Sequence, residues 1–103
     1  MVDQSVSAEL TDVICAIVAA VGDTECRPDT SLPHLGLDSL GAAETASVVA
    51  DALGLAVPLE TILGASTAGA AADMLLARWA ADGHTADEVR ARLKSVADGS
   101  AVH

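Results

Sequence analysis

The chain has 103 residues, of which 51% are hydrophobic, enough for one small domain with its own core. Its formal net charge of −10 at pH 7 argues against nucleic-acid binding. Trp79 is the single aromatic residue, and such a composition favours packed helices over strands, which prefer β-branched and aromatic side chains. The two cysteines make no disulfide framework and have no metal-type spacing, so we expect no metal site.

The N-terminus and the charge distribution bear on location and partners. The first residues lack the positive charge of a signal peptide, and the apolar stretch over 13–21 is too short to span a bilayer. We therefore expect a cytoplasmic protein with no membrane partner. Residues 1–77 hold eleven acidic residues and one basic residue, whereas residues 78–103 hold four of each. The acidic part is suited to attracting basic partners.

A first helix is predicted from six apolar residues at helical spacing, with Ser7 as its N-cap and Gly22 as its end. These residues are Leu10, Val13, Ile14, Ile17, Val18 and Val21. Residues 22–38 then form a long connection that two prolines keep irregular. We expect its leucines to pin it to the core: Leu32, Leu35 and Leu37.

A second helix is predicted over 39–53, and Gly54 ends it. Its buried stripe is expected at Ala43, Ala46, Val49, Ala50 and Leu53. Glu44 and Asp51 are expected on its outer surface. The segment "GLAVPLETIL" that follows predicts a turn and then one helical turn over 59–63.

Two more helices follow from their capping residues. One begins after Ser66 or Thr67, either of which can cap it, and runs to about residue 81. Its inner face is expected at Met74, Leu75 and Trp79. The capping-box pattern "TADE" opens a last helix over 86–97, with Val89, Leu93 and Val96 at helical spacing. Residues 98–103 are expected to form a disordered tail.

These elements predict an all-α fold. It is a small four-helix bundle, with three long helices plus a short third helix, and it carries an extra C-terminal helix. We divide the chain into a domain over 7–81 and a C-terminal extension over 82–103, which holds the helix at 86–97.

The stretch "LGLDSL" places Asp38 and Ser39 where the long connection turns into the second helix. Asp and Ser are common N-caps, so one interpretation is that the pair only starts that helix. A second interpretation is a nucleophile elbow, but that motif requires Gly-x-Ser-x-Gly, and Leu37 occupies the position of its first glycine. The third interpretation is that Ser39 is an attachment point.

The order of the features favours attachment. A helix, a long leucine-bearing loop, "LGLDSL", a second helix, "GLAVPLETIL" and a Thr-capped helix together resemble the acyl and peptidyl carrier proteins over roughly residues 7–80. The resemblance implies a carrier-protein bundle with a 4′-phosphopantetheine arm, donated by coenzyme A and attached to Ser39. It implies a carrier of thioester cargo that is not itself an enzyme. Ala71 departs from the family pattern, which usually has a leucine there.

The resemblance also implies partners and the residues that meet them. Asp38 and Leu40 match the neighbours of the modified serine, Glu44 matches an acidic residue of the second helix, and Ile62 matches an apolar position of the short third helix. In the family these positions serve partner recognition. The expected partners are a phosphopantetheinyl transferase, an acyl- or amino-acid-activating enzyme or an acyltransferase, and downstream synthase, condensation or tailoring enzymes.

The motif "GLDSLGAAET" looks closer to the corresponding motif of polyketide-type acyl carriers than to those of the other carrier classes. Peptidyl carriers more often have a glycine where this chain has Leu37, and fatty-acid carriers usually have an acid where it has Gly41. We therefore expect a stand-alone acyl carrier protein of a polyketide or mixed polyketide–peptide pathway. One alternative is a peptidyl carrier of a nonribosomal peptide pathway, with an aminoacyl thioester. An alternative of another class is a small helical interaction module without the arm.

Overall fold

The computed structural model describes residues 4–22, 25–27, 29–32 and 39–97. Within these residues the chain forms five helices, which confirms the predicted all-α bundle with a short third helix and an additional last helix. They are α1 (Gln4–Gly22), α2 (Ser39–Leu53), α3 (Leu59–Gly64), α4 (Ala68–Ala81) and α5 (Ala86–Ala97). The predicted tail over 98–103 lies outside the described residues.

The first helix begins four residues earlier than an N-cap at Ser7 would place it. α1 starts at Gln4, so Ser7 lies inside the helix and is not its N-cap. The Ser7 hydroxyl donates a hydrogen bond to Asp73 Oδ1 on α4, at 2.8 Å, and so joins two helices. One turn further on, the Thr11 hydroxyl donates to the Ser7 carbonyl at 2.7 Å, which satisfies a polar side chain that is buried.

The core is built from aliphatic side chains, many alanines and one large aromatic residue. α1 packs on α2, α4 and α5, while α3 packs on α2 and α4. Trp79 is 1% exposed, and its indole N–H donates to the Ala56 carbonyl at 2.7 Å, which satisfies its buried polar atom. On α4 the alanines Ala68, Ala71 and Ala72 are fully buried, and such small side chains allow neighbouring helices to pack closely.

The structure corrects two of the predicted buried faces. On α2 the buried residues are Ala42, Thr45, Ala46, Val49 and Leu53, whereas Ala43 is exposed and Ala50 is partly buried. Thr45 can be buried because its hydroxyl donates to the Gly41 carbonyl at 2.9 Å. On α4, Leu75 and Trp79 are buried as predicted, but Met74 is 44% exposed because Leu76, which follows Leu75, takes the core position instead.

The described part of the long connection is tied to the start of α4. Leu32 is 2% exposed, as predicted, and its backbone N–H donates to the Ser66 carbonyl at 2.8 Å. Ser31 forms an isolated β-bridge with Thr67. Thr67 is the N-cap of α4, and its hydroxyl accepts from the Ala70 N–H at 3.1 Å. The predicted anchors Leu35 and Leu37 lie outside the described residues.

The last helix contributes to the same core as the others. α5 spans the predicted residues, and the Thr85 hydroxyl accepts from the Glu88 N–H at 3.1 Å, as in the N-terminal half of a capping box. Val89 and Leu93 are 1% and 2% exposed, and Val96 packs at the edge of the core. α5 packs on α1 and α2.

Candidate functional site

Ser39 is the first residue of α2, and its side chain is exposed. Its hydroxyl is therefore accessible to a modifying enzyme. The start of a helix carries the positive end of the helix dipole, and the first turn of α2 contains no acidic residue. A phosphodiester on Ser39 would place its negative charge at this end, so the residues present fit a phosphopantetheine group.

The outer face of α2 runs from Ser39 along the whole helix. We call its exposed residues the α2 face: Ser39, Leu40, Ala43, Glu44, Ser47, Val48 and Asp51. Leu40 is 68% exposed, the most exposed large apolar side chain among the described residues, and Val48 is 45% exposed. Twelve residues separate the first member from the last, about 18 Å along the helix axis. The face therefore offers apolar contacts interleaved with two carboxylates.

Of the predicted partner-recognition residues, Leu40 and Glu44 lie on this face, one helical turn apart. Asp38 lies outside the described residues. Val48 was missed by the sequence analysis, although its position four residues after Glu44 places it on the same side of the helix.

Ile62 differs from the expectation. Its side chain is 1% exposed and belongs to the core, so it presents no surface to a partner. Its neighbour Leu63 is 46% exposed and is the large apolar side chain that α3 turns to solvent. One side of α3 packs Ile62 into the core, and the next residue along the helix is rotated by about 100° and so faces solvent.

The histidine within the described part of the chain lies far from Ser39. His84 Nδ1 is 2.7 Å from Glu88 Oε2, and Glu88 in turn contacts Arg92, which reaches the Leu53 carbonyl at the opposite end of α2. A helix of 15 residues separates its first and last residues by about 21 Å. His84 therefore cannot serve as a general base for Ser39.

The buried Cys15 thiol does not offer a second reactive group. Burial raises the pKa of the Cys15 thiol to about 12, with further contributions from the neighbouring Cys26 and Asp12 side chains. Cys15 is therefore a neutral core side chain at pH 7. Among the described residues no group of three or more His, Cys, Asp or Glu side chains is arranged to hold a metal ion.

The fold and the site together define a class: a small helical protein that presents one serine at the start of a helix, beside an exposed apolar and acidic face. The family described as a phosphopantetheine attachment site matches residues 8–75, more than half of the chain, and the protein belongs to that family. Its members hold covalently attached 4′-phosphopantetheine, so this is a carrier protein that tethers thioesters.

Two other comparisons gave no relative: no curated protein and no solved structure matches the chain. None of the described helices is both long and apolar enough to cross a membrane.

Proposed function

We propose that Ser39 is the residue that carries the 4′-phosphopantetheine arm. The observation that carries the proposal is its position: an exposed hydroxyl on the first residue of α2, within the segment that the family matches. The serine hydroxyl forms the new P–O bond and loses its proton, while the pyrophosphate P–O bond of coenzyme A breaks and adenosine 3′,5′-bisphosphate leaves. The thiol at the end of the arm then holds the cargo as a thioester.

On this proposal the chain's own residues keep Ser39 exposed at the start of α2 and perform no chemistry on the cargo. α2 buries one side against the core through Val49 and Leu53, so its first turn has a fixed direction. Tethering raises the effective concentration of cargo at a partner's active site. The carrier thus contributes reach and delivery, and the partner enzymes contribute catalysis.

We propose that partners meet the α2 face, with Leu40 and Glu44 next to the arm. Leu40 offers apolar area that is desolvated on docking, and Glu44 attracts a basic patch on the partner. Asp38 adds a second carboxylate beside the serine in sequence. On α3 we assign this role to the exposed Leu63 in place of the buried Ile62.

The pathway we favour is polyketide or mixed polyketide–peptide biosynthesis in the cytoplasm. The support is the sequence motif "GLDSLGAAET", which has Leu37 before the Asp-Ser pair and Gly41 after Leu40. The partners on this proposal are a phosphopantetheinyl transferase, an acyl-activating enzyme or acyltransferase, and downstream synthase or tailoring enzymes.

The attachment test uses the full chain, coenzyme A and a broad-specificity phosphopantetheinyl transferase, followed by intact mass measurement. The wild-type protein should gain the mass of one arm, and Ser39→Ala should gain none. Ser47→Ala is the matched control, because Ser47 is also an exposed serine of α2, two turns further along. A wild-type protein that gains no mass would instead be a helical interaction module without the arm, and the proposal would fail.

The pathway test loads the arm-bearing protein with competing activating enzymes. Acyl-adenylating or acyltransferase partners should transfer their acyl groups faster than amino-acid-adenylating partners transfer aminoacyl groups. Efficient loading only by an amino-acid-activating partner would make the protein a peptidyl carrier.

A further inference from the structure

The last helix holds the end of α2 that lies opposite Ser39. Arg92 on α5 donates from Nη1 to the Leu53 carbonyl oxygen at 2.8 Å. The last carbonyls of a helix have no partner inside the helix, and the negative end of the helix dipole favours a cation there. α2 has no basic residue in its own last turn, so α5 supplies the cation that α2 lacks.

The guanidinium of Arg92 is itself held in place. Its Nη2 is 3.5 Å from Glu88 Oε2, and Glu88 Oε2 is 2.7 Å from His84 Nδ1. The His84 backbone N–H donates to the Trp79 carbonyl at 2.9 Å. Polar contacts therefore run from the end of α4 through α5 to the end of α2.

The turn after α2 leaves room for this contact. Gly54 has a φ of 66°, the left-handed conformation in which glycine commonly ends helices. A Cβ atom on Gly54 would lie 2.7 Å from Arg92 Nη1, so the guanidinium uses space that another residue would fill. Beneath the polar contact, Val89 and Leu93 anchor α5 in the core that α1 and α2 share.

We propose that Arg92 is a positioning residue: through α5 it fixes the C-terminal end of α2, and thereby the direction of the α2 face that begins at Ser39. This inference rests on the proposed function, because the direction of the face matters only if partners dock on it. α2 acts as a stiff rod about 21 Å long, so a shift at Leu53 changes the angle at which Val48 and Glu44 meet a partner. The part of the chain that carrier function requires therefore extends to residue 97, the end of α5. It reaches beyond residues 8–75, which the family matches, and beyond the domain end predicted at residue 81.

The first test compares Arg92→Met with Lys94→Met in the full chain without the arm. Methionine keeps an apolar stem of similar length and removes only the charge and the hydrogen bonds, and Lys94 is an exposed cation of the same helix. Amide hydrogen exchange at the end of α2 should be about tenfold faster in Arg92→Met than in wild type. Exchange in α4 should change much less, whereas a global loss of stability would accelerate both helices together.

The second test measures arm installation at a temperature where both variants are fully folded. For Arg92→Met the KM of the transferase for the carrier should rise about threefold with kcat unchanged, and Lys94→Met should match wild type. Faster exchange with an unchanged KM would make Arg92 a structural contact and overturn the positioning role, as would unchanged exchange at the end of α2. Failure of the wild-type protein to accept the arm would overturn the proposed function as well.

Discussion

Leu40 is the residue at which the docking role can be separated from folding. Its side chain is 68% exposed, so Leu40→Ala should change the free energy of unfolding by less than about 0.5 kcal/mol. If the side chain contacts the transferase beside Ser39, the same substitution should raise the KM of arm installation about fivefold. Met74→Ala, on α4, removes another exposed apolar side chain and should leave KM unchanged. Equal effects of the two variants would contradict a docking role for Leu40.

The two cysteines should differ sharply in reactivity. Because burial raises the Cys15 pKa to about 12 and its side chain is 7% exposed, iodoacetamide at pH 8 should leave it unmodified in the folded protein. Cys26 is only partly buried and should be alkylated first. Peptide mapping against a urea-unfolded sample measures both rates. Comparable alkylation of the two thiols in the folded protein would contradict the buried position of Cys15.

The same raised pKa makes a prediction about alkaline stability. The unfolded Cys15 thiol ionises near its ordinary value of 9.0, whereas the folded thiol does so near 12. The contribution of the protonated Cys15 thiol to the free energy of unfolding is therefore complete below pH 9, and it is lost as the pH rises from 9 to 12. Cys15→Ala should reduce the part of the pH dependence of the melting temperature that falls in this window. An unchanged alkaline profile would contradict the assignment.

Helical spacing predicts which residues share a face but leaves open how that face is turned toward the core. In the first half of α2 the candidate core residues are alanines, so spacing alone did not choose between them, and Ala43 was assigned to the core in place of Ala42. Met74 was assigned to the core because it fits helical spacing as well as Leu76, which is the buried residue. Ile62 was expected at a partner surface from the family resemblance, and it is the exposed Leu63 beside it that faces solvent. Ser39 was placed correctly at the start of α2 and Glu44 on its surface, because the start of the helix follows directly from the sequence.

At the scale of the element, α5 should contribute to folding as a core helix does. Leu93→Ala removes a side chain that is 2% exposed, and it should lower the free energy of unfolding by about 2–5 kcal/mol. Leu63→Ala makes the same chemical change where the side chain is 46% exposed, and it should cost less than about 0.5 kcal/mol. Urea unfolding measures both. A Leu93→Ala protein as stable as wild type would mean that α5 does not belong to the fold.

The bounds of α2 and α5 follow from local signals. Ser39 begins α2 and Gly54 ends it, and Thr85 caps the start of α5. The start of α1 could not be predicted from local signals. Ser7 resembles an N-cap, but its hydroxyl donates a hydrogen bond to Asp73, 66 residues away, and does not cap its own helix. The bond from Arg92 to the Leu53 carbonyl joins residues 39 apart. Local patterns cannot reveal such contacts, since they depend on how the finished helices pack.

At the scale of the whole molecule, charge should govern encounter with partners. The net charge is −10, and residues 1–77 carry it, while the charges of residues 78–103 balance. Raising the salt concentration from 0.1 M to 1 M shortens the Debye length from about 10 Å to about 3 Å. The KM of arm installation should therefore rise with salt, and Glu44→Gln should flatten the dependence. A KM independent of salt would contradict electrostatic recruitment of a basic partner.

The most direct test of the carrier role is to locate the arm on the chain. The wild-type protein is treated with coenzyme A and transferase, digested, and sequenced by tandem mass spectrometry. We expect a single 4′-phosphopantetheine group, on the peptide that contains Ser39, with the fragment masses assigning it to that residue. An arm on Ser31 or Ser47, or no arm on any serine, would contradict it.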